Sequence, residues 1–225
     1  MLKKIIIAID GPAGSGKSTA AKNIAQKLGF TYLDTGAMYR AITFIALRNG
    51  IAEETSAVIE MVRQINLKLR FENGVTRVFV DDEEVTEQIR STDVNAMVSD
   101  ISKIPEVRAE LVKIQKKLGN DGNIVAEGRD VTTVVFPNAD LKIFLTASID
   151  VRTKRRLREF QEKSFHITYD EVKENLEKRD KIDSGREVSP LRKAEDAIEF
   201  DNSALTPEQD LDFLLEKIKT VLSRK

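Results

Sequence analysis

The chain has 225 residues, of which 41% are hydrophobic and 32% charged, and a chain of this length can bury one substantial core. Its 36 Lys and Arg residues nearly balance its 37 Asp and Glu residues. The net charge therefore does not indicate electrostatic binding of DNA, RNA or an anionic membrane over the whole surface. Cysteine is absent, which excludes a disulfide framework, a thiol nucleophile and thiolate-bound zinc or iron–sulfur groups.

The N-terminus begins with a short apolar run at residues 5–9. This run is far shorter than the roughly 20 residues that a membrane helix needs. Asp10 also ends it before the apolar region of a signal peptide would be complete. We therefore interpret the N-terminus as part of the mature structure, and we expect a cytoplasmic protein without a membrane or nucleic-acid partner.

A strand, a glycine-rich loop and a helix follow one another at the start of the chain. Residues 5–9 are mostly β-branched, which is typical of a buried parallel strand, and residues 11–16 supply the loop. From Lys17 onward, apolar residues recur at helical spacing until Gly29, a residue type that ends many helices. A second strand at residues 31–33 and a helix closed by Asn49 and Gly50 complete a βαβ unit, which predicts a parallel sheet.

Three later apolar segments, at residues 124–126, 141–145 and 197–200, complete the predicted sheet. Helical stretches separate them, so we expect an α/β fold in which five parallel strands lie between two layers of helices. Residues 168–171 and 206–209 each match the capping box that begins a helix. No repeat or flexible linker interrupts the chain, which predicts one domain spanning residues 1–225.

A predicted β-hairpin interrupts the alternation of strands and helices, because residues 67–72 and 75–80 flank the turn sequence Asn73–Gly74. Helical patterns at residues 57–65 and 86–90 can cover its apolar face, so we predict a small insert at about residues 63–91. Pairing through the turn places Leu67, Leu69 and Phe71 opposite Val80, Val78 and Thr76.

Residues 11–18 (GPAGSGKS) match the phosphate-binding P-loop pattern G-x-x-x-x-G-K-[ST] and stand between a strand and a helix, as that motif requires. This predicts a P-loop NTPase fold, three-layered α/β/α, although a glycine-rich turn without a ligand is the alternative. We expect Lys17 to bridge the β- and γ-phosphates of ATP and Ser18 to coordinate Mg²⁺. The predicted ATP-binding residues are Gly11, Pro12, Ala13, Gly14, Ser15, Gly16, Lys17, Ser18 and Thr19.

Motifs elsewhere in the chain indicate which class of nucleotide-binding protein this is. We find neither the N-K-x-D stretch of a regulatory GTPase nor the strand-ending Asp-Glu pair of an oligomeric ATPase. The predicted strand at residues 124–126 instead runs into residues 127–130 (EGRD), which places an arginine and two carboxylates where ligands gather in open α/β sheets. Arginine suits bidentate contact with phosphate, so we predict a second, phosphate-bearing substrate. The arginines expected near it are Arg40, Arg108, Arg129, Arg179 and Arg186.

Basic residues crowd a predicted helix that begins near Ser148. One interpretation is a solvated helix face. The other is a lid, at about residues 150–165, whose arginines close over the triphosphate and exclude water. We predict catalytic roles for Lys17, Arg129, Arg152 and Arg156. A phosphate acceptor is already ionised and needs no general base, so positioning and electrostatics are expected to supply the catalysis.

Several segments resemble the bacterial cytidylate kinases of the nucleoside monophosphate kinase family, almost from end to end. The first of them is widely shared, whereas the others together are specific. They are residues 10–18 (DGPAGSGKS), 33–40 (LDTGAMYR), 127–130 (EGRD), 133–137 (TVVFP) and 142–145 (KIFL), with Arg179, Asp180, Asp183 and Arg186. The predicted insert is similar to the enlarged monophosphate-binding insert of the bacterial enzymes.

That resemblance implies transfer of a phosphoryl group from ATP to CMP or dCMP, with Mg²⁺. It further implies that Thr35, Arg40, Arg129 and Arg186 hold the acceptor phosphate. Ser99, Arg108 and Asp130 then resemble the groups that read the cytosine edge, and Arg179 and Asp183 those near the ribose. Since one chain carries both phosphate sites, we expect a monomer.

Two positions depart from the family pattern. Glu127 stands where Asp is frequent, and Thr132 stands where Gly is usual. If that glycine has a positive φ in relatives, Thr132 must strain or reshape the loop. We therefore expect an altered affinity for the acceptor and an unchanged reaction.

Two other functions remain open from sequence alone. One is a related P-loop kinase for UMP, AMP or a small metabolite such as shikimate, for which Asp34 is the carboxylate placed to act as base. The other is a binding protein that closes on ATP to present a surface to RNA or a protein. The balanced charge and the absence of an aromatic stacking stripe count against RNA.

Overall fold

The computed structural model of the chain describes residues 4–72, 74–120, 122–162 and 166–223. The strands are β1 (Ile6–Asp10), β2 (Thr31–Asp34), β3 (Leu67–Glu72), β4 (Val75–Val80), β5 (Glu83–Glu84), β6 (Ile124–Gly128), β7 (Leu141–Thr146) and β8 (Ile198–Asp201). The helices are α1 (Lys17–Leu28), α2 (Thr35–Arg48), α3 (Thr55–Gln64), α4 (Thr92–Ser102), α5 (Pro105–Gly119), α6 (Ile149–Glu162), α7 (Tyr169–Gly185) and α8 (Pro207–Leu222).

Strand β1 lies at the centre of a five-stranded sheet with the order β2-β6-β1-β7-β8, and each neighbouring pair is parallel. This confirms the predicted core, with strand bounds that differ by a few residues. Asp10 at the end of β1 is in register with Gly128 of β6 and Phe144 of β7. The carboxyl ends of these strands therefore share one edge, where ligands bind in open α/β sheets.

The two faces of the sheet are covered by different helices, because successive strand residues point to opposite sides. On one face Ala8 packs with Met38 and Ile42 of α2. On the other face Ile9 packs with Ile24 of α1 and with residues of α8. All five of these named hydrophobic side chains are at least 99% buried, so the fold is a three-layer α/β/α sandwich, as predicted.

A second, antiparallel sheet has the order β3-β4-β5. Its β3–β4 register places Leu67 opposite Val80, Leu69 opposite Val78 and Phe71 opposite Thr76, as predicted. Asn73 of the predicted turn lies outside the described residues. The buried face packs into the same cluster as Val58 and Val62 of α3. The predicted helix at residues 86–90 is wrong in extent, since only Gln88–Arg90 form a short 3-10 turn.

The predicted helix ends and starts are confirmed. Gly29 follows α1 with φ 67°. Thr168 and Thr206 each accept a hydrogen bond from the backbone N–H of the third helical residue, whose own side-chain oxygen accepts one from the backbone N–H of the capping threonine. Within the described residues, no helix combines the length and the apolar character needed to cross a membrane.

Candidate active site

A cavity of about 860 Å³ lies at the carboxyl edge of the large sheet. The predicted site residues that line it are Ala13, Gly14, Gly16, Lys17, Ser18, Thr19, Thr35, Arg40, Ser99, Arg108, Arg129, Asp130, Arg156, Arg179, Asp183 and Arg186. The predicted residues that do not line it are Gly11, Pro12, Ser15 and Arg152. The fold therefore brings residues from distant parts of the sequence around one space.

The glycine-rich loop between β1 and α1 forms one wall of this cavity. A side chain at Gly11 would lie 1.9 Å from the backbone oxygen of Leu145, so only glycine fits there. Gly16, at the N-cap position just before α1, has φ 93° and offers no side chain to cap the helix. The first amide groups of α1 are thus left for an anion, which the helix dipole also favours.

Lys17 is 5% exposed, and its Nζ donates to the backbone oxygen of Pro12 at 2.7 Å. Burial, followed by the charge of Arg129, lowers the pKa of Lys17 to about 7, although Glu127 and nearby aspartates oppose this shift. A buried ammonium group with so little charge compensation favours an anionic ligand.

Ser18 is exposed, and its Oγ donates to Oε1 of the buried Glu127 at 2.7 Å. Tyr32 donates to the same oxygen at 3.1 Å. Among the described residues, no three Asp, Glu or His side chains are grouped to hold a metal ion. The hydroxyl, the neighbouring carboxylate and the phosphate oxygens of a nucleotide are hard oxygen ligands, which fit Mg²⁺.

Arg108 and Asp130 form a buried ion pair on the side of the cavity lined by α4 and α5. Nη2 of Arg108 lies 2.5 Å from Oδ2 of Asp130, and Nη1 donates to the backbone oxygen of Ser102 at 2.9 Å. Both side chains are at most 5% exposed. Ser99, on α4, also lines this cavity. This arrangement offers a carboxylate acceptor and guanidinium donors to a planar polar ligand.

A cluster of three arginines surrounds Asp183. Arg129 Nε donates to Oδ2 of Asp183 at 2.7 Å, and Arg186 Nη1 lies 3.7 Å from Oδ1. Burial raises the pKa of Asp183, but the charges of Arg129 and Arg186 outweigh it, so that the pKa lies below its usual value. Burial, together with repulsion from Arg129, lowers the pKa of Arg179 to about 10.

Several guanidinium N–H groups at this cavity are buried and have no hydrogen-bond partner among the described residues. They are Nε of Arg40, Nε of Arg108, Nε of Arg179 and Nη2 of Arg186. Leaving such donors unpaired is costly, so an oxygen-rich ligand would stabilise this part of the protein. The cluster therefore fits a phosphate group.

Asp34 and Arg40 are bound to each other at the start of α2. Asp34 Oδ1 accepts from the backbone of Ala37, and its Oδ2 accepts from Arg40 at 2.9 Å. Thr35 donates to the backbone oxygen of Glu127 at 2.7 Å. Asp34 therefore caps the start of α2 and orients Arg40, which gives it a structural role at the edge of the cavity.

Arg152 and Arg156 are four residues apart on α6 but differ in their surroundings. Arg152 is 7% exposed and donates to the backbone oxygen of Ala13 at 3.1 Å and to Asp180 at 2.6 Å. Arg156 lines the cavity and donates to Glu159 at 2.7 Å. Arg152 thus holds the phosphate loop, whereas Arg156 borders the open space. Residues 163–165 of the predicted lid lie outside the described residues.

The strain expected at Thr132 is absent, since this residue is not among those with positive φ. Thr132 lies in a π-helical turn, Val131–Val135, that follows Asp130. Its backbone and its hydroxyl both donate to Asp10. The π-helical hydrogen-bond pattern accommodates the side chain without the left-handed backbone that a glycine permits.

Sequence reasoning missed a second network behind the phosphate loop. The buried Asn202 donates to the backbone oxygen of Ser15 at 3.1 Å and to Asp210 at 2.6 Å. Arg155 donates to Asn202 Oδ1 at 3.0 Å. Asn202 lies two residues after the strand predicted at residues 197–200, and that position was the only available signal, because Ser15 and Arg155 are remote in sequence.

The parallel sheet and its glycine-rich strand–loop–helix define a P-loop protein with an arginine-lined cavity beside the phosphate loop. The family model for cytidylate kinase matches residues 7–220. The chain belongs to the cytidylate kinase family, whose members are nucleoside monophosphate kinases.

Individual relatives agree with this assignment. The chain is 48% identical to a cytidylate kinase of Streptococcus suis over 225 residues, which cover 99% of this chain and all of the relative. It is 47% identical to a cytidylate kinase of Fusobacterium nucleatum, over 98% of this chain and all of that protein. The fold is also similar to that of an uncharacterised protein from Eubacterium ventriosum, with a TM-score of 0.53, 15% identity, and coverage of 97% of this chain and 99% of the other.

Proposed function

We propose that this enzyme transfers the γ-phosphoryl group of ATP to CMP or dCMP, giving ADP and CDP or dCDP. The observation that carries the proposal is the buried Arg108–Asp130 pair, which lines the same cavity as the phosphate loop. A nucleotide base and a triphosphate can thereby be bound in one continuous space. Family membership supports the same reaction.

The hydrogen-bonding groups of cytosine match the Arg108–Asp130 pair. The carboxylate of Asp130 accepts from the exocyclic amine, and Arg108 donates to the ring nitrogen and carbonyl oxygen, with Ser99 beside them. Uracil presents a carbonyl oxygen in place of that amine. A uracil base would leave the buried Asp130 facing an acceptor, which disfavours UMP.

The acceptor phosphate is assigned to Thr35, Arg40, Arg129 and Arg186, and the ribose region to Arg179 and Asp183. The unpaired guanidinium donors of Arg40 and Arg186 support this assignment, because phosphate oxygens would complete their hydrogen bonds. An ionised phosphate oxygen attacks without a general base. The side chains therefore position two phosphate groups and stabilise the charge that is transferred between them.

On the donor side, the residues of the phosphate loop from Gly11 to Thr19 bind ATP, and Lys17 stabilises the charge on its β- and γ-phosphates. When bound, Mg²⁺ would be held by Ser18 and the phosphate oxygens, and it would neutralise developing charge. Arg129 and Arg156 act on the transferred group. Arg152 acts through its bond to Ala13, which makes it a positioning residue in this proposal.

Two further segments complete the proposal: a monophosphate-binding insert at about residues 63–91 and a lid at about residues 150–165. Helix α6 lines the cavity beside the phosphate loop, so its movement toward the loop would exclude water from the triphosphate. Both substrates are bound by residues of one chain. We therefore propose that the monomer is active.

An acceptor panel tests this proposal. Purified protein is mixed with ATP, Mg²⁺ and each of CMP, dCMP, UMP, AMP and GMP, and ADP formation is compared with a blank that lacks acceptor. We expect CMP and dCMP to react well above the others. A preference for UMP or AMP would contradict the base assignment, and ATP binding without turnover of any acceptor would contradict the reaction.

A further inference from the structure

Asp10 is fully buried and receives three hydrogen bonds from one turn of the chain. Its Oδ1 accepts from the backbone N–H of Val131 at 2.9 Å. Its Oδ2 accepts from the backbone N–H of Thr132 at 2.7 Å and from the Thr132 hydroxyl at 2.6 Å. Thr132 is itself 1% exposed. Such bonds to an ionised carboxylate are stronger than bonds between neutral groups.

These bonds connect the two sides of the cavity. Asp10 is the last residue of β1, and the phosphate loop begins at the next residue, Gly11. Thr132 is two residues after Asp130, the carboxylate that pairs with Arg108. The π-helical turn that follows Asp130 is therefore hydrogen-bonded to the end of β1, directly before the phosphate loop.

The hydroxyl of Thr132 adds to this connection in a way that backbone groups cannot. The two backbone donors fix where the turn begins, whereas the hydroxyl fills a further acceptor position on Oδ2 of a carboxylate that has no access to solvent. Valine has nearly the same shape but no donor. Replacing the hydroxyl by a methyl group would leave the buried carboxylate of Asp10 with two hydrogen bonds instead of three. The Val131–Val135 turn would then be held less tightly to β1.

We propose that Thr132 is a positioning residue, which fixes the carboxylate of Asp130 for the acceptor base by anchoring its turn to Asp10. This inference rests on the proposed function, because it assigns the reading of the base to Asp130. Thr132 does not line the cavity and so acts through Asp10 and the turn.

The test compares Thr132→Val, Thr132→Gly and Thr132→Ser with the wild-type enzyme. Val and Gly both remove the hydroxyl, and we expect each to raise the KM for CMP about fivefold, with a smaller change in the KM for ATP. The preference for CMP over UMP, measured as the ratio of kcat/KM values, should fall in the same two variants. Ser keeps the donor and should retain both values within about twofold of wild type.

Thr43→Val is the matched control. The Thr43 hydroxyl is also fully buried and donates to a backbone oxygen, that of Tyr39, at 2.9 Å. Its loss should lower the melting temperature without changing the CMP-to-UMP ratio. Melting curves establish that each variant is folded at the assay temperature, and Thr132→Gly serves if Thr132→Val does not fold.

Two results would overturn the inference. One is an unchanged KM for CMP and an unchanged CMP-to-UMP ratio in a folded variant that lacks the hydroxyl. The other is an equal loss in Thr132→Ser and Thr132→Val, since the hydroxyl would then not be the cause. Failure of the proposed function is distinct, because the wild-type enzyme itself would then show no preference for CMP.

Discussion

The hydroxyl of Ser18 donates to Oε1 of Glu127 across 2.7 Å, although the two residues are more than 100 positions apart in the chain. Ser18 lies in the first turn of α1, beside the phosphate loop, and Glu127 lies on β6, next to the central strand. Tyr32 from β2 donates to the same carboxylate oxygen. Neighbouring parallel strands therefore hold the hydroxyl proposed to coordinate Mg²⁺ in one orientation.

We predict that Glu127→Gln raises the Mg²⁺ concentration needed for half-maximal activity, by about tenfold, because groups that orient a metal ligand contribute on this scale. The measurement is initial rate against free Mg²⁺ at saturating ATP and CMP. Tyr32→Phe removes the second hydrogen bond to Glu127 but leaves its charge, so it should shift the Mg²⁺ dependence less. Equal curves for Glu127→Gln and wild type would contradict the role assigned to this carboxylate.

Arg152 supports the phosphate loop from behind, through Ala13 and Asp180. We predict that Arg152→Ala lowers the free energy of unfolding by about 3 kcal/mol, because it leaves one partner of a largely buried ion pair alone. It should also raise the KM for ATP more than the KM for CMP. Urea denaturation and steady-state kinetics measure the two effects.

Arg63→Ala provides the comparison for Arg152→Ala. Arg63 lies 3.8 Å from Glu60 in an exposed pair, and its loss should change the free energy of unfolding by less than about 0.5 kcal/mol. If Arg152→Ala is no more destabilising than this control and binds ATP normally, Arg152 does not anchor the loop.

Asp10 should make the free energy of unfolding depend on pH. Burial raises its pKa to about 6, although the bonds from Thr132 and Val131 oppose this. The folded state thus binds a proton that the unfolded chain has already released above pH 4, so the contribution of Asp10 to stability falls as pH rises toward and through 6.

Asp10→Asn removes this titration. Between pH 5 and 7.5, we predict that wild type loses about 1–2 kcal/mol of unfolding free energy relative to Asp10→Asn. Urea denaturation at several pH values measures the difference. An exposed control, Asp93→Asn, should follow wild type throughout. A constant difference between wild type and Asp10→Asn across this range would contradict the assignment.

Local patterns explain why much of the fold was predictable. The β3–β4 register follows from alternating apolar residues around a two-residue turn, and the register observed is the one predicted. Strand β5 has only Glu83 and Glu84, both exposed, so it carries no apolar pattern that sequence reasoning can detect. The 3-10 turn at Gln88–Arg90 is likewise too short for a helical period to identify.

The candidate site was predictable where a motif carries its own chemistry, as in the phosphate loop. The site was less predictable from sequence where the burial of a residue decides its role. Arg152 and Arg156 belong to one basic run, yet Arg152 faces the back of the loop and Arg156 the cavity. The hydrogen bonds from Thr132 to Asp10 join segments 122 positions apart and depend on the packing of β1 beside β6. Local sequence predicts neither the different surroundings of the two arginines nor the contact between Thr132 and Asp10.

The central claim is that Asp130 reads the amine of a cytosine base. The most direct test is the ratio of kcat/KM for CMP to kcat/KM for UMP, measured in wild type and in Asp130→Asn at saturating ATP. An asparagine amide can donate to the uracil carbonyl oxygen, so we predict that the ratio falls at least tenfold through both a loss with CMP and a gain with UMP. An unchanged ratio in a folded, active variant would contradict the claim.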